Sequence, residues 1–202
     1  DRSPSRGLGD VYKRQGIYGL RRSEILGIKW DAIDFEKGTF VIKHTVTKVT
    51  GIGENQVIQC KNLTKSRYGY RTYPLTLELR KALSKQKIQI EINKRFVFKD
   101  EYVQQTKDYV CLRENGELIK PDYLTKRFQK LATEKDLKKI RFHDLRHSVG
   151  SLLAANNANL RQIQDYLGQG SIKSTERYSH LQYDNKEDSI GICLLYTSDA
   201  AD

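Results

Sequence analysis

The sequence predicts a mixed α+β domain that is mainly helical and has a small three-stranded antiparallel sheet. The stretch from residue 39 to residue 75 contains three short runs rich in β-branched and aromatic residues, separated by joints that contain glycine or asparagine. From residue 76 onward, apolar residues recur mostly at helical spacing. A chain of 202 residues is long enough for one domain with a buried core.

The elements are predicted in chain order from these patterns. Apolar residues at helical spacing predict a helix over residues 16–30, and a turn follows over residues 31–38. The runs at Thr39–His44, Gln56–Cys60 and Tyr70–Leu75 predict the three strands. Later helices are predicted to begin at Thr76 and to cover Asp122–Lys135, His143–Ala155 and Leu160–Leu167. Between the first two, an extended piece is predicted at Val97–Phe98 and a loop over 99–120. The last two helices are predicted to stop at Asn156-Asn157 and at Gly168.

The composition narrows the class of protein. Lys and Arg outnumber Asp and Glu by 36 to 25, a net charge of +11, which favours a polyanionic partner such as nucleic acid. No apolar run approaches the ~18 residues of a transmembrane helix, and the N-terminus carries no signal-peptide pattern. The three cysteines, Cys60, Cys111 and Cys193, lie far apart without metal-ligand spacing, which predicts a reduced, intracellular protein.

Both ends of the chain differ from its body. The sequence contains no methionine, so we expect a fragment whose upstream part is missing. Residues 1–15 and 193–202 resemble translated sequencing-adapter DNA, and flexible native tails are the alternative. The interpretable domain is therefore expected to span residues 16–192.

Five short motifs, considered together, carry the functional signal. They are G-L-R-R-S-E at 19–24, K-S-x4-R-T-Y-P-L at 65–75, H-D-L-R-H at 143–147, L-G-Q-G at 167–170 and T-E-R-Y-S-H at 175–180. Each alone has an ordinary structural explanation. Their joint order resembles the catalytic domain of the tyrosine recombinases, which form the phage integrase family. Within that family, the sequence is most similar in style to the integrases of phages and conjugative elements of Gram-positive bacteria.

The resemblance implies a DNA-cleaving and rejoining enzyme with named roles. Tyr178 would attack a phosphodiester and form a 3′-phosphotyrosyl link, and a base would have to help, because a free phenol has a pKa of ~10. His143 would be that base. Arg21 and Arg146 would bind the charged non-bridging oxygens, which planar guanidinium groups match in geometry.

Other positions follow from the same resemblance. The family's lysine that protonates the leaving 5′-oxygen falls on Lys65, with Lys61 as the alternative. Glu24 would orient the active-site arginine or histidine, with a simple helix salt bridge as the alternative. His147 matches a common family variant and receives no catalytic role.

One position departs from the family pattern. Gln169 stands where the family usually has His or Trp, nine residues before Tyr178. Glutamine can donate a hydrogen bond to a phosphate oxygen, but it carries no charge and cannot shuttle a proton. We therefore expect transition-state stabilisation weakened by about 1–3 kcal/mol.

The resemblance also implies the partners. These are double-stranded DNA attachment sites, a homotetramer assembled on DNA and accessory DNA-bending or excision factors, with no membrane, metal or cofactor. A Xer-type resolvase, a topoisomerase-like nicking and closing enzyme, and a DNA-binding remnant without catalysis are the alternatives. Phosphate contacts are predicted for basic residues upstream of and around the second arginine box: Lys120, Lys126, Arg127, Lys130, Lys138, Lys139 and Arg141.

Overall fold

The computed structural model describes residues 16–50, 56–63, 69–134, 136 and 140–179. The predictions for both chain ends, for Lys65 and for Lys138 and Lys139 fall outside these residues. Within the described part, no helix is long and apolar enough to cross a lipid bilayer.

The sheet has three antiparallel strands, as predicted, but one of them differs from the prediction. Strands β1 (Ile33–Asp34), β2 (Thr39–Ile42) and β5 (Arg71–Pro74) form it in the order β1-β2-β5. The prediction of a turn over 31–38 was too wide. The turn is confined to residues 35–38, where Asp34 Oδ1 accepts the backbone N–H groups of Glu36 and Lys37 at 3.0 and 2.9 Å.

The predicted middle strand belongs to a separate hairpin. Strand β4 (Gln56–Asn62) pairs with β3 (His44–Thr50) in a two-stranded antiparallel sheet, in a register from His44↔Asn62 to Thr50↔Gln56. The prediction that 56–60 pairs within the three-stranded sheet was therefore wrong. Five of the seven residues from 44 to 50 are β-branched, a composition typical of strands, and this strand continues the chain past β2.

The first helix is shorter than predicted. Helix α1 covers only Arg22–Leu26, after a helical turn at residues 16–18. Gly19 separates the two with a φ of +61°, a left-handed conformation that interrupts a right-handed helix. Helix α2 (Leu77–Ile92) follows the sheet, and the Thr76 side chain caps it by accepting the N–H of Leu79 at 3.3 Å.

The later helices agree with the sequence prediction. They are α3 (Pro121–Glu134), α4 (Asp144–Ala155) and α5 (Leu160–Leu167). The predicted stops are confirmed at Asn157 and Gly168, both left-handed, with φ values of +63° and +64°. The extended piece predicted at Val97–Phe98 was wrong, because a π-helical turn over Asn93–Val97 prolongs α2.

Two apolar cores underlie the functional region. In the larger core, Tyr18 packs edge-on against Phe40 and Tyr73, with ring centroids 5.0 and 5.5 Å apart, and thereby fixes the segment before α1 on the sheet. The smaller core lies between α4 and α5 and contains Tyr178, the predicted nucleophile. Its other buried members are Val149, Ala154, Ile163 and Leu167.

The close approach of α1 to β3 predicts a stability effect. A Cβ at Gly27 would collide with the backbone of His44 and Thr45, which cannot move as a side chain can. We expect Gly27→Ala to lower the free energy of unfolding by about 1–3 kcal/mol, measured by urea denaturation. The control is Gly16→Ala, where a Cβ would meet nothing within 4 Å. Equal stability of the two variants would contradict this packing.

Candidate active site

A polar cleft of about 230 Å³ forms where the start of α1, the first turns of α4 and the segment after α5 meet. It brings together four of the residues singled out from the sequence. Those are Arg21, His143, Arg146 and Gln169, and the cleft adds His147, Gly170, Ser174 and Arg177. Among the described residues, the lining carries three guanidinium groups and no carboxylate, so it is suited to an anion.

Arg21 directly precedes α1, and its side chain reaches the cleft. Its Nη1 donates to Glu24 Oε1 and its Nη2 donates to the carbonyl oxygen of Gly168, both at 2.8 Å. The side chain is 40% exposed, whereas that of Glu24 is 3% exposed. The guanidinium is thus held from behind, and its open side faces the cleft. Arg22 points elsewhere, donating to Thr125 Oγ1 on α3 at 2.8 Å.

The Glu24 carboxylate joins three hydrogen-bond donors. Besides Arg21 Nη1, it accepts the backbone N–H of Arg21 and Nη2 of Arg71 through Oε2, each at 2.8 Å. Its bond to the Arg21 N–H is the one that an acidic side chain at the third helical position makes in a capping box. Burial alone would raise the pKa of Glu24, but Arg71 and Arg21 overcome that effect and hold the pKa below its ordinary value.

Arg146 is the most enclosed of the cleft arginines. It projects from the first turn of α4 and is 2% exposed. Its Nη1 donates to the carbonyl oxygen of Gly19 and its Nη2 to that of Leu167, which ties α4 to the α1 segment and to the end of α5. Burial lowers the pKa of Arg146 to about 10, so the group stays cationic at neutral pH. A guanidinium has five N–H donors, so these two bonds leave others for a ligand.

Two histidines stand next to each other at the start of α4. The rings of His143 and His147 meet edge to face, with centroids 5.0 Å apart. Loss of hydration lowers the pKa of both rings, helped by His147 and Arg146 for His143 and by Arg177 for His147. Both are therefore neutral at physiological pH and able to accept a proton.

Tyr178 lies behind the cleft rather than within its lining. Its ring packs over Gly150 on α4, where a Cβ would collide with it, and the residue is 2% exposed. Its hydroxyl lies 3.0 Å from His147 Nδ1, so the phenol reaches the cleft through that imidazole. Burial raises the pKa of Tyr178, against the opposing charges of Arg177 and Arg146, and the phenol is protonated at neutral pH.

Gln169 directly follows the left-handed Gly168 that ends α5. The Thr175 hydroxyl donates to Gln169 Oε1 at 2.6 Å, in a buried contact. This bond holds the carbonyl end of the amide toward Thr175, and the NH₂ end, which carries the only donors of the side chain, can donate to an anion in the cleft.

Among the residues that the structure describes, the other predicted lysines and arginines do not line the cleft. Lys61 is exposed on β4, opposite Thr45, and is not part of the described lining; Lys65 falls outside the described residues. Some of the predicted phosphate contacts already have acidic neighbours. Arg127 and Lys130 lie 3.7 Å from Glu134, and Arg141 pairs with Asp144 at 3.0 Å. Lys120 and Lys126 are exposed.

Three basic residues at or behind the cleft received no role from the sequence. Two of them, His147 and Arg177, line the cleft and are sequence neighbours of predicted residues. The third, Arg71, is buried on β5, and its position in the strand pattern of the sequence could have indicated that burial. Arg71 and Tyr73 occupy the inward positions of a strand whose exposure alternates, so an arginine stands where an apolar residue is usual.

The sequence profile of the phage integrase family matches residues 16–185, and the chain belongs to that family. The resemblance seen in the five motifs is thus confirmed. A tyrosine recombinase described as XerC-like, from Caldanaerobacter subterraneus subsp. tengcongensis, is 27% identical over 81% of this chain and 43% of its own length. The ICEBs1 integrase of Bacillus subtilis is 27% identical over 85% of this chain and 44% of its own length.

Solved structures share the fold. The Tn1549 transposon integrase in complex with a circular intermediate DNA superposes with a TM-score of 0.63 at 22% identity, covering 85% of this chain and 52% of that one. XerH site-specific recombinase bound to a palindromic difH substrate gives a TM-score of 0.62 at 20% identity, covering 95% and 47%. The chain therefore spans about half the length of these proteins, and the α+β fold class is confirmed.

The charge arrangement around Glu24 predicts a pH-dependent stability. Because its pKa in the folded state lies below the ordinary 4.5, the ion pairs contribute fully above pH 4.5, and this contribution is lost as the pH falls through the folded-state value. At pH 7 we expect Glu24→Gln to cost about 3–5 kcal/mol of unfolding free energy. The difference between wild type and variant should shrink on acidification.

The matched control is Glu117→Gln, which breaks the exposed pair between Glu117 and Arg113 at 3.2 Å. It should leave stability nearly unchanged at each pH, because exposed pairs contribute little. Chemical denaturation from pH 7 down to pH 3 measures both variants. A Glu24→Gln deficit that does not vary with pH would contradict the ion-pair account.

Proposed function

We propose that this chain is the catalytic part of a site-specific DNA recombinase that cleaves and rejoins duplex DNA for integration or excision of a mobile element. The observation that carries the proposal is the cleft itself. Arg21 and Arg146 are held there by hydrogen bonds to backbone carbonyl oxygens, beside two neutral histidines, and one of those histidines contacts the Tyr178 hydroxyl. This set supplies anion binding, a proton acceptor and a nucleophile in one place.

The two arginines would bind the scissile phosphate. The transition state of phosphoryl transfer carries its charge on the non-bridging oxygens, which prearranged donors stabilise without reorganisation. Arg21 offers its open face, and Arg146 offers the donors that its two carbonyl partners leave unused. The Gln169 amide would add a neutral hydrogen bond.

In the cleavage step, Tyr178 Oη would bond to phosphorus while the bond from phosphorus to the 5′-oxygen breaks. The phenol proton would pass to a histidine, and the leaving 5′-oxygen would take up a proton from Lys65 or, alternatively, Lys61. His143 fits the acceptor role because its ring is neutral and lines the cleft. Tyr178 must first leave its packing on Gly150, since it does not line the cleft in this structure.

The relatives support DNA as the partner and an integrase role. Solved relatives were captured with a circular intermediate DNA and with a difH substrate. The relatives include both integrases and Xer recombinases, and the Xer-type alternative has no stronger support than the integrase role. A homotetramer on DNA attachment sites, accessory factors and a location at the bacterial nucleoid belong to the same proposal.

A nicked suicide duplex tests the chemistry. Because the short leaving strand diffuses away after cleavage, the covalent protein–DNA product accumulates. We expect a slowly migrating adduct on a denaturing gel with the wild-type chain and none with Tyr178→Phe, which removes only the hydroxyl. Tyr123→Phe, at an exposed tyrosine on α3, is the matched control and should cleave normally.

The outcome also separates the rivals. No adduct from the wild type at saturating DNA would mean a DNA-binding remnant without catalysis and would overturn the proposal. An adduct accompanied by relaxation of supercoiled plasmid, but by no joining of two duplexes, would indicate the topoisomerase-like alternative.

The departure at Gln169 predicts a graded effect on rate. Removal of one neutral donor in Gln169→Ala should slow cleavage by roughly 10- to 100-fold, which corresponds to about 1.4–2.7 kcal/mol. Gln169→His should restore the rate at least to the wild-type value. Single-turnover cleavage of the suicide duplex measures both variants. Wild-type activity of Gln169→Ala would show that its amide does not contact the phosphate.

A further inference from the structure

We propose that Arg71 is a positioning residue that sets the orientation of the phosphate-binding Arg21, an inference that rests on the function proposed above. Arg71 lies on β5 with its side chain 5% exposed, and it is absent from the described cleft lining. It would therefore act without touching DNA. Two separate paths lead from its guanidinium to Arg21.

The first path runs through Glu24. Arg71 Nη2 donates to Glu24 Oε2 at 2.8 Å, and Glu24 Oε1 accepts Arg21 Nη1 at 2.8 Å. Each oxygen of this buried carboxylate thus accepts one of the two guanidinium groups, and Oε2 also accepts the backbone N–H of Arg21. If the Arg71 charge were removed, Glu24 could rotate toward Arg21 and pull its guanidinium back from the cleft.

The second path runs through Gly168, whose carbonyl oxygen accepts Arg21 Nη2 at 2.8 Å. The Arg71 guanidinium packs directly on Gly168, so closely that a Cβ there would collide with it. Arg71 Nε also donates to the Tyr73 hydroxyl at 3.0 Å, and that hydroxyl donates to the carbonyl oxygen of Tyr166 on α5. Arg71 therefore fixes the end of α5 that presents the second acceptor to Arg21.

The energetics favour a positioning task over a stabilising one. Burying the Arg71 guanidinium and the Glu24 carboxylate costs desolvation energy, and apolar residues of similar volume often stabilise a fold as well as a buried ion pair does. What an apolar residue cannot do is hold a carboxylate and a carbonyl oxygen at fixed positions. A misplacement of about 1 Å at a reacting group costs on the order of 100-fold in rate, so such precision has a large effect.

The test compares Arg71→Lys and Arg71→Gln with the wild-type chain in single-turnover cleavage of the nicked duplex at saturating DNA. We expect Arg71→Gln to slow cleavage by roughly 10- to 100-fold, with DNA half-saturation changed less than about threefold. Arg71→Lys keeps the charge but loses the planar fork, so it should be intermediate. Arg113→Gln, at an exposed arginine paired with Glu117, is the matched control and should match the wild type.

A second substrate distinguishes positioning from a merely structural role. A methylphosphonate at the scissile position lacks the negative charge that Arg21 would neutralise, so the deficit of both Arg71 variants should shrink to within about threefold on this duplex. In an Arg21→Ala background, adding Arg71→Lys should cause no further loss. Thermal unfolding checks that each variant is folded, and Arg71→Lys carries the test if Arg71→Gln does not fold.

Failure of this inference is distinguishable from failure of the proposed function. If the wild type forms no adduct, both are overturned. If the wild type cleaves and the Arg71 variants keep its rate, or lose the same factor on both substrates, only the positioning role is overturned.

Discussion

The buried carboxylate of Glu24 is the interaction on which the arrangement of the cleft depends. It accepts one hydrogen bond from each of two guanidinium groups, Arg21 and Arg71, and a third from the backbone at the start of α1. A charge 3% exposed is tolerated only when it is paired and hydrogen-bonded, and here each partner leads to a different element. The sheet, α1 and the end of α5 are thereby joined at the point where the cationic cleft opens.

The proposed nucleophile and the cleft lie in different environments. The cleft is polar and cationic, whereas Tyr178 packs in the small core between α4 and α5. His147 is the link, lining the cleft and lying 3.0 Å from the Tyr178 hydroxyl. Under the proposed function, an entering phosphate would meet Arg21 and Arg146 already in place, and cleavage would require only the segment carrying Tyr178 to move.

The sequence revealed the cleft residues better than their connections. Motif order identified Arg21, Arg146 and Gln169, because such short motifs record side chains that share one task. It could not show that Arg71 lies against Glu24, since this contact spans 47 positions and depends on how β5 packs on α1. The strand errors have the same origin: local patterns predict strands but not their partners, so the run at 56–60 was placed in the wrong sheet.

The central claim is that this cleft directs Tyr178 to a phosphodiester, and the chemical identity of the protein–DNA linkage tests it most directly. Proteolysis and nuclease digestion of the covalent product, followed by mass spectrometry, locates the attached nucleotide on the protein. The account predicts a 3′-nucleotide on the peptide containing Tyr178 and a free 5′-hydroxyl on the released strand. A nucleotide on any other residue, or a 5′-phosphate on the released strand, would contradict it.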